Sequence, residues 1–207
     1  MFKLSFGEEV GNSVSHGVMA VICLFMIPFT AVYSYITGGI LKASGESVYI
    51  ICLFLMFLGS TIYHAMEFGS NQKYVLRKID HCFIYLAIAG TYTPVLLCVV
   101  KGTLGIVLLV LEWGATIAGI LITAISKYHH RILSMIIYIS MGWVAIIVVP
   151  IIFNYDLTFF LLILLGGIFY TVGIIFYAKK YNFAHFIWHI FIILASIVHY
   201  IAVVFLI

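Results

Sequence analysis

The sequence predicts an all-α polytopic membrane bundle: a single domain over residues 1–207 with seven transmembrane helices, the N-terminus cytoplasmic and the C-terminus extracytoplasmic. Three observations carry this. Hydrophobic residues make up 65% of the chain and charged residues 8%, with a mean hydropathy of +1.25; no water-soluble domain sustains such a composition. Asp, Glu, Lys and Arg are missing from the runs 10–41, 47–66, 81–100, 132–155, 157–178 and 181–207, and Glu112 alone interrupts 102–126. Each run exceeds the roughly 18 apolar residues that mark a spanning helix. Basic residues are also unevenly placed. With the N-terminus inside, the inner segments carry Lys3, Lys73, Arg77, Lys78, Lys127, Arg131, Lys179 and Lys180, and the outer segments only Lys42 and Lys101, as the positive-inside rule demands.

The spans fall at about 14–37, 47–66, 82–100, 103–125, 132–153, 157–178 and 183–205. Ahead of the first, Glu8, Asn12 and His16 stand four apart and form a polar stripe if the segment is helical. Acidic residues favoured by a helix N-terminus are the plainer reading of that segment, a role near a functional site the other. The N-terminus is not a cleavable signal, because Glu8 and Glu9 precede an apolar run too long for one. Pro28 is expected to kink the first helix.

The second span ends in Ser60-Thr61-Ile62-Tyr63-His64, and a basic loop over about 67–79 follows as a topology determinant or a phospholipid-headgroup contact. Asp80-His81 opens the third span, which continues through Ala89-Gly90-Thr91-Tyr92-Thr93-Pro94, where Gly and Pro predict close packing and a kink. Glu112 sits inside the fourth span, where a carboxylate costs about 2.5–3.5 kcal/mol and must be protonated, solvated or paired; His199, at comparable depth in the seventh, is its candidate partner. His129-His130-Arg131 reads as a solvated inner loop. The fifth and sixth spans are structural, with Gly142, Gly166, Gly167 and Gly173 allowing close helix approach. Cys23, Cys52, Cys82 and Cys98 lie in or at the ends of spans without CxxC spacing, which indicates packing rather than a disulfide framework or a thiolate metal site.

The last span opens with Ala184-His185-Phe186-Ile187-Trp188-His189. Imidazoles four residues apart share a helix face, and polar pairs in an apolar membrane helix are usually functional. With the predicted orientation, His64, Asp80, His185 and His189 all come to the cytoplasmic level from three different spans. Three imidazoles with an open position match a catalytic zinc centre better than a closed structural one; iron, nickel and copper also accept imidazole. Asp80 would then orient water at the metal or accept its proton. The competing reading is a set of interface-level histidines that bond to lipid headgroups.

Taken together, Glu9-x-x-Asn12-x-x-x-His16, Ser60-x-x-x-His64, Asp80-His81 with Ala89–Pro94, and His185-x-x-x-His189 with His199-Tyr200 resemble the progestin and adipoQ receptor family, and within it the bacterial hemolysin III proteins. The resemblance covers essentially the whole chain. It implies seven helices with a cytoplasmic N-terminus and a zinc ion held by His64, His185 and His189. It further implies that Asp80 contacts the zinc through water and that Ser60 lies beside the site. A role for His81 is left open.

Three functions follow as expectations. The first is a zinc-dependent hydrolase of a lipid amide or ester, a ceramide-like amide being the leading guess from a related superfamily. The second is a sensor or regulator of membrane fluidity or lipid homeostasis with structural zinc. The third is a pore-forming hemolysin, against which stand the uniformly apolar spans. Two other seven-helix readings are weaker: a retinal protein needs a lysine within the last helix, and none follows Lys180, and a bis-histidine haem needs ligands on opposite faces, whereas His185 and His189 share one. The partners expected are membrane lipids, with no nucleic acid, and the expected location is a bacterial plasma membrane.

Overall fold

The structure is a computed structural model that describes residues 4–126, 131–179 and 181–207, with Arg131 described in its backbone alone. Lys3, Lys127, His129, His130 and Lys180, on which part of the charge asymmetry and one predicted loop rest, lie outside the described residues. The α-helices among the described residues are α1 (Phe6–Ala65), α2 (Asn71–Pro94), α3 (Gly102–Ile125), α4 (Arg131–Gly142), α5 (Ala145–Tyr155), α6 (Leu157–Ala178) and α7 (Ala184–Leu206). Six helical stretches among them are long and apolar enough to cross a membrane, α1 counting as one and α4 with α5 as another.

The 60 residues of α1 would extend about 90 Å as one rod, three times the roughly 30 Å hydrocarbon core. They are instead two crossings. The chain reverses at Gly39 (φ 74°, ψ −168°), a conformation open in practice only to glycine. The two arms lie antiparallel and are tied at both ends, by Ser13 Oγ donating to the Thr61 carbonyl (3.0 Å) and by Ser34 Oγ donating to Glu46. Pro28 lies in the first arm, and the non-helical break is at Gly39, not at the proline. The helix starts eight residues before the predicted span, capped by the Ser5 hydroxyl accepting from the Glu8 N–H (3.2 Å), so the stripe of Glu8, Asn12 and His16 is helical and all three are buried.

The stretch read as a basic loop over 67–79 is largely the first turns of α2. Ser70 caps them by accepting from the Lys73 N–H (3.1 Å). Farther along, Gly90 packs on Cys52, whose Cβ is 2.7 Å from where a Cβ on Gly90 would stand. After Pro94, which has no N–H to continue the ladder, residues Val95–Val100 wind as a π-helix. The fifth span is broken between α4 and α5. There the Tyr92 hydroxyl accepts from the Ala145 N–H (2.8 Å) and donates to the Gly142 carbonyl (2.6 Å). One phenol thus satisfies a donor and an acceptor that the interrupted helix leaves without partners.

Gly166 and Gly173 give α7 its close approach to α6: a Cβ on Gly166 would stand 2.1 Å from His199 Cδ2, and one on Gly173 2.9 Å from Phe191 Cβ. Gly142 and Gly167 face open space and serve no such contact. The core that holds the spans together centres on Tyr49, Phe57, Leu96, Val148, Phe159 and Val203. The largest helix interfaces are α1 with α2 and α6 with α7, the pairs that carry the predicted site residues.

Candidate metal centre

His64 ends the second arm of α1, and His185 and His189 occupy the first two turns of α7. Each offers one nitrogen to a group whose members all lie within 4.8 Å of one another. The ring centroids are 5.2 Å apart for His64 and His185 and 4.9 Å for each of the other two pairs. His64 and His189 are buried and His185 half-buried.

The donor set suits a cation. His64 Nε2 and His189 Nδ1 are buried nitrogens with no hydrogen-bond partner. Buried polar atoms are nearly always satisfied, and a metal ion held by this group would give an orphaned imidazole nitrogen the partner it lacks. The group can therefore hold one.

The N-terminal arm surrounds these histidines. Glu9 Oε2 accepts from His64 Nδ1 at 2.6 Å, and Glu9 Oε1 accepts from Lys73 Nζ at 2.7 Å. Glu8 Oε1 accepts from the His185 backbone N–H (3.1 Å), one of the first-turn donors a helix leaves unpaired. Glu8 and Glu9 thus serve both readings of this segment: they open α1, and they hold the start of α7 and the ring of His64. Asn12 Nδ2 lies 3.5 Å from His64 Nδ1. His16 stacks on His189, centroids 3.7 Å apart and planes 16° from parallel, and meets Phe57 edge-on, so the His189 ring is wedged in place.

Asp80 stands outside the three-nitrogen group, beside the Ser60 hydroxyl and with Oδ2 3.5 Å from His81 Nδ1. The open role of His81 is at least partly structural. Its Nδ1 donates to the Arg77 carbonyl (2.7 Å), its Nε2 lies 3.3 Å from the Tyr177 hydroxyl of α6, and its carbonyl accepts from Tyr138 of α4 (2.9 Å). The pairing of Glu112 with His199 is not formed. Glu112 is on α3 with Oε2 buried and unpartnered, whereas His199 faces α6 and donates to the Ile163 carbonyl (3.1 Å). Lys73, read from the sequence as part of a basic loop that sets topology or meets lipid headgroups, is 1% exposed. Its engagement with Glu9 is the feature that sequence reasoning missed.

An apolar cleft opens between the second arm of α1 and α2, α4, α5, α6 and α7. Met56, Ile84 and Ile192 line it, and each lies about one helical turn, roughly 5.4 Å, inward from Ser60, Asp80 and His189.

A family model described as Haemolysin-III related matches residues 4–200. The chain is 36% identical over 200 residues to a Hemolysin-3 homolog of Bacillus subtilis (strain 168), covering 96% of this chain and 93% of that relative. It is 34% identical over 200 residues to a Hemolysin-3 of Bacillus cereus, covering 96% and 91%. It is 28% identical over 165 residues to the human Monocyte to macrophage differentiation factor, covering 75% and 67%. Together with the apolar helices, these matches make the chain a multi-pass membrane protein, and it belongs to the haemolysin-III related family.

Proposed function

We propose that the protein is a zinc-dependent hydrolase of a lipid amide or ester bond, working in the cytoplasmic leaflet. The observation that carries this is the convergence of His64, His185 and His189, with two orphaned nitrogens, one turn above an apolar cleft. Three histidines with a position left over favour catalytic zinc, and neutral imidazole suits zinc among the available divalent metals. Zinc bound there supplies Lewis acidity to a carbonyl and makes water a nucleophile near neutral pH.

The rest falls to the chain. The cleft takes acyl chains from the bilayer and brings the polar linkage of the lipid to the level of the histidines. Asp80, steadied by Ser60, accepts a proton from the attacking water. The water hydroxyl joins the acyl carbon, the C–N or C–O bond breaks, and Asp80 returns the proton to the departing amine or alcohol. The excess of basic residues on the inner segments supports the cytoplasmic side.

The test is metal analysis of the purified protein beside His189→Ala, followed by incubation of the zinc-loaded parent with lipid extract from its own host. Near-stoichiometric zinc lost in the variant, with release of fatty acid that Asp80→Asn abolishes, supports the reading. Zinc without turnover supports the regulator instead, for which the ties from the N-terminal arm to α7 and α2 argue. In that reading the metal fastens three segments, and its removal lowers the melting temperature alone.

A further inference from the structure

A lysine buried among apolar helices requires partners for its charge. Among the described residues Lys73 has three: Glu9 Oε1 at 2.7 Å, the Met66 carbonyl at 3.0 Å, and the face of Tyr63, whose centroid is 5.0 Å from Nζ. Its ammonium therefore has a fixed place, and so has the Glu9 carboxylate. The other oxygen of that carboxylate, Oε2, meets His64 Nδ1 at 2.6 Å.

A carboxylate only accepts hydrogen bonds, so His64 Nδ1 carries the proton and Nε2 is bare. Nε2 is the ring atom left buried without a partner. We infer that Lys73 and Glu9 are positioning residues that lock His64 in the Nδ1–H tautomer and aim its bare Nε2 at the metal. The affinity of the centre is then set in part by two residues that never touch the ion, one from the start of α1 and one from the first turn of α2. This rests on the metal reading above.

The experiment uses full-length protein in detergent. Zinc affinity is measured by competition with a chromogenic chelator, and the tautomer of His64 by imidazole nitrogen NMR on metal-free protein, the resonance being assigned by its loss in His64→Ala. Glu9→Gln is expected to bind zinc about 10–100-fold more weakly, the usual effect of losing a carboxylate that orients a ligating histidine. Lys73→Met is expected to weaken binding in the parent and to add nothing in the Glu9→Gln background, because it acts through Glu9. In the parent, His64 is expected as the Nδ1–H form, lost in Glu9→Gln.

Unchanged zinc affinity in Glu9→Gln, or His64 as the Nε2–H form in the parent, overturns the inference. If Glu9→Gln does not fold, Lys73→Met with the same two measurements decides. A parent that binds no zinc yet loses the Nδ1–H form on Glu9→Gln supports the positioning role and overturns the zinc reading.

Discussion

The histidines divide into those that local spacing exposes and those that need a neighbour to interpret. His185 and His189 are visible as a pair because four residues return a helix to the same face. His64 joins them through helix direction, and the structure brings its ring to 4.9 Å from that of His189. Glu9 escapes such reasoning. Spacing sets it beside Asn12 and His16 on one helix face, but its role comes from packing against the second arm of α1 and against Lys73, 64 residues away, which spacing does not disclose. Asp80 gives the sharpest residue-scale prediction. Asp80→Asn preserves size and lies outside the three-nitrogen group, so zinc content is expected at the parent level while lipid hydrolysis falls by about 10²–10⁴-fold, the range for loss of a general acid–base group. Metal analysis and fatty-acid release on the same preparation check both halves. Asp80→Asn that loses zinc makes Asp80 a ligand rather than a proton carrier.

Individual elements show which sequence signals carried structural weight. Gly166 and Gly167 are adjacent and were equally plausible contact glycines. Only Gly166 is one, because a helix turns about 100° per residue and carries its neighbour to the open side. Gly166→Ala places a methyl group 2.1 Å from the His199 ring and is expected to cost about 1–3 kcal/mol, as overpacking does. Gly167→Ala meets nothing within 4 Å and is expected to leave the melting temperature in detergent unchanged or slightly raised. Equal effects of the two would contradict the α6–α7 packing. The break between α4 and α5 was illegible for a different reason. Neither Trp143 nor Val144 is a helix breaker; the interruption is stabilised from another helix by Tyr92. Tyr92→Phe deletes the hydroxyl and leaves the Ala145 N–H and Gly142 carbonyl without it, at about 1–3 kcal/mol for a buried group left unsatisfied. Thermal melts of Tyr92→Phe beside Tyr155→Phe, whose hydroxyl bonds are exposed and longer at 3.2 and 3.4 Å, are expected to show the larger loss for Tyr92.

At the scale of the whole molecule, the bilayer made the fold readable. It forces backbone groups to pair within helices, and the apolar runs therefore translate directly into crossings; the starts at Phe6 and Asn71 lie farther out than predicted, where polar residues are buried against the centre, and the fifth run is broken between α4 and α5. The metal reading has a consequence at this scale. The histidines and their partners join both arms of α1 to α2 and α7, so an ion bound to the folded chain alone stabilises the bundle by mass action, about 4 kcal/mol when free metal exceeds Kd a thousandfold. Chelation is expected to lower the melting temperature of the parent and leave that of His189→Ala unmoved. Sidedness is the remaining global property, and charge argues it. Of the described basic residues, Lys73, Arg77, Lys78, Arg131 and Lys179 belong to segments at the histidine end, and Lys42 and Lys101 to segments at the other. In a chain with its four native cysteines replaced by serine, Lys101→Cys is expected to react with a membrane-impermeant maleimide in intact cells. Tyr74→Cys, at an exposed position in the first turns of α2, is expected to react only after permeabilisation. The reverse pattern would turn the histidines to the outer leaflet, and the lipid presented to them would then have to come from there.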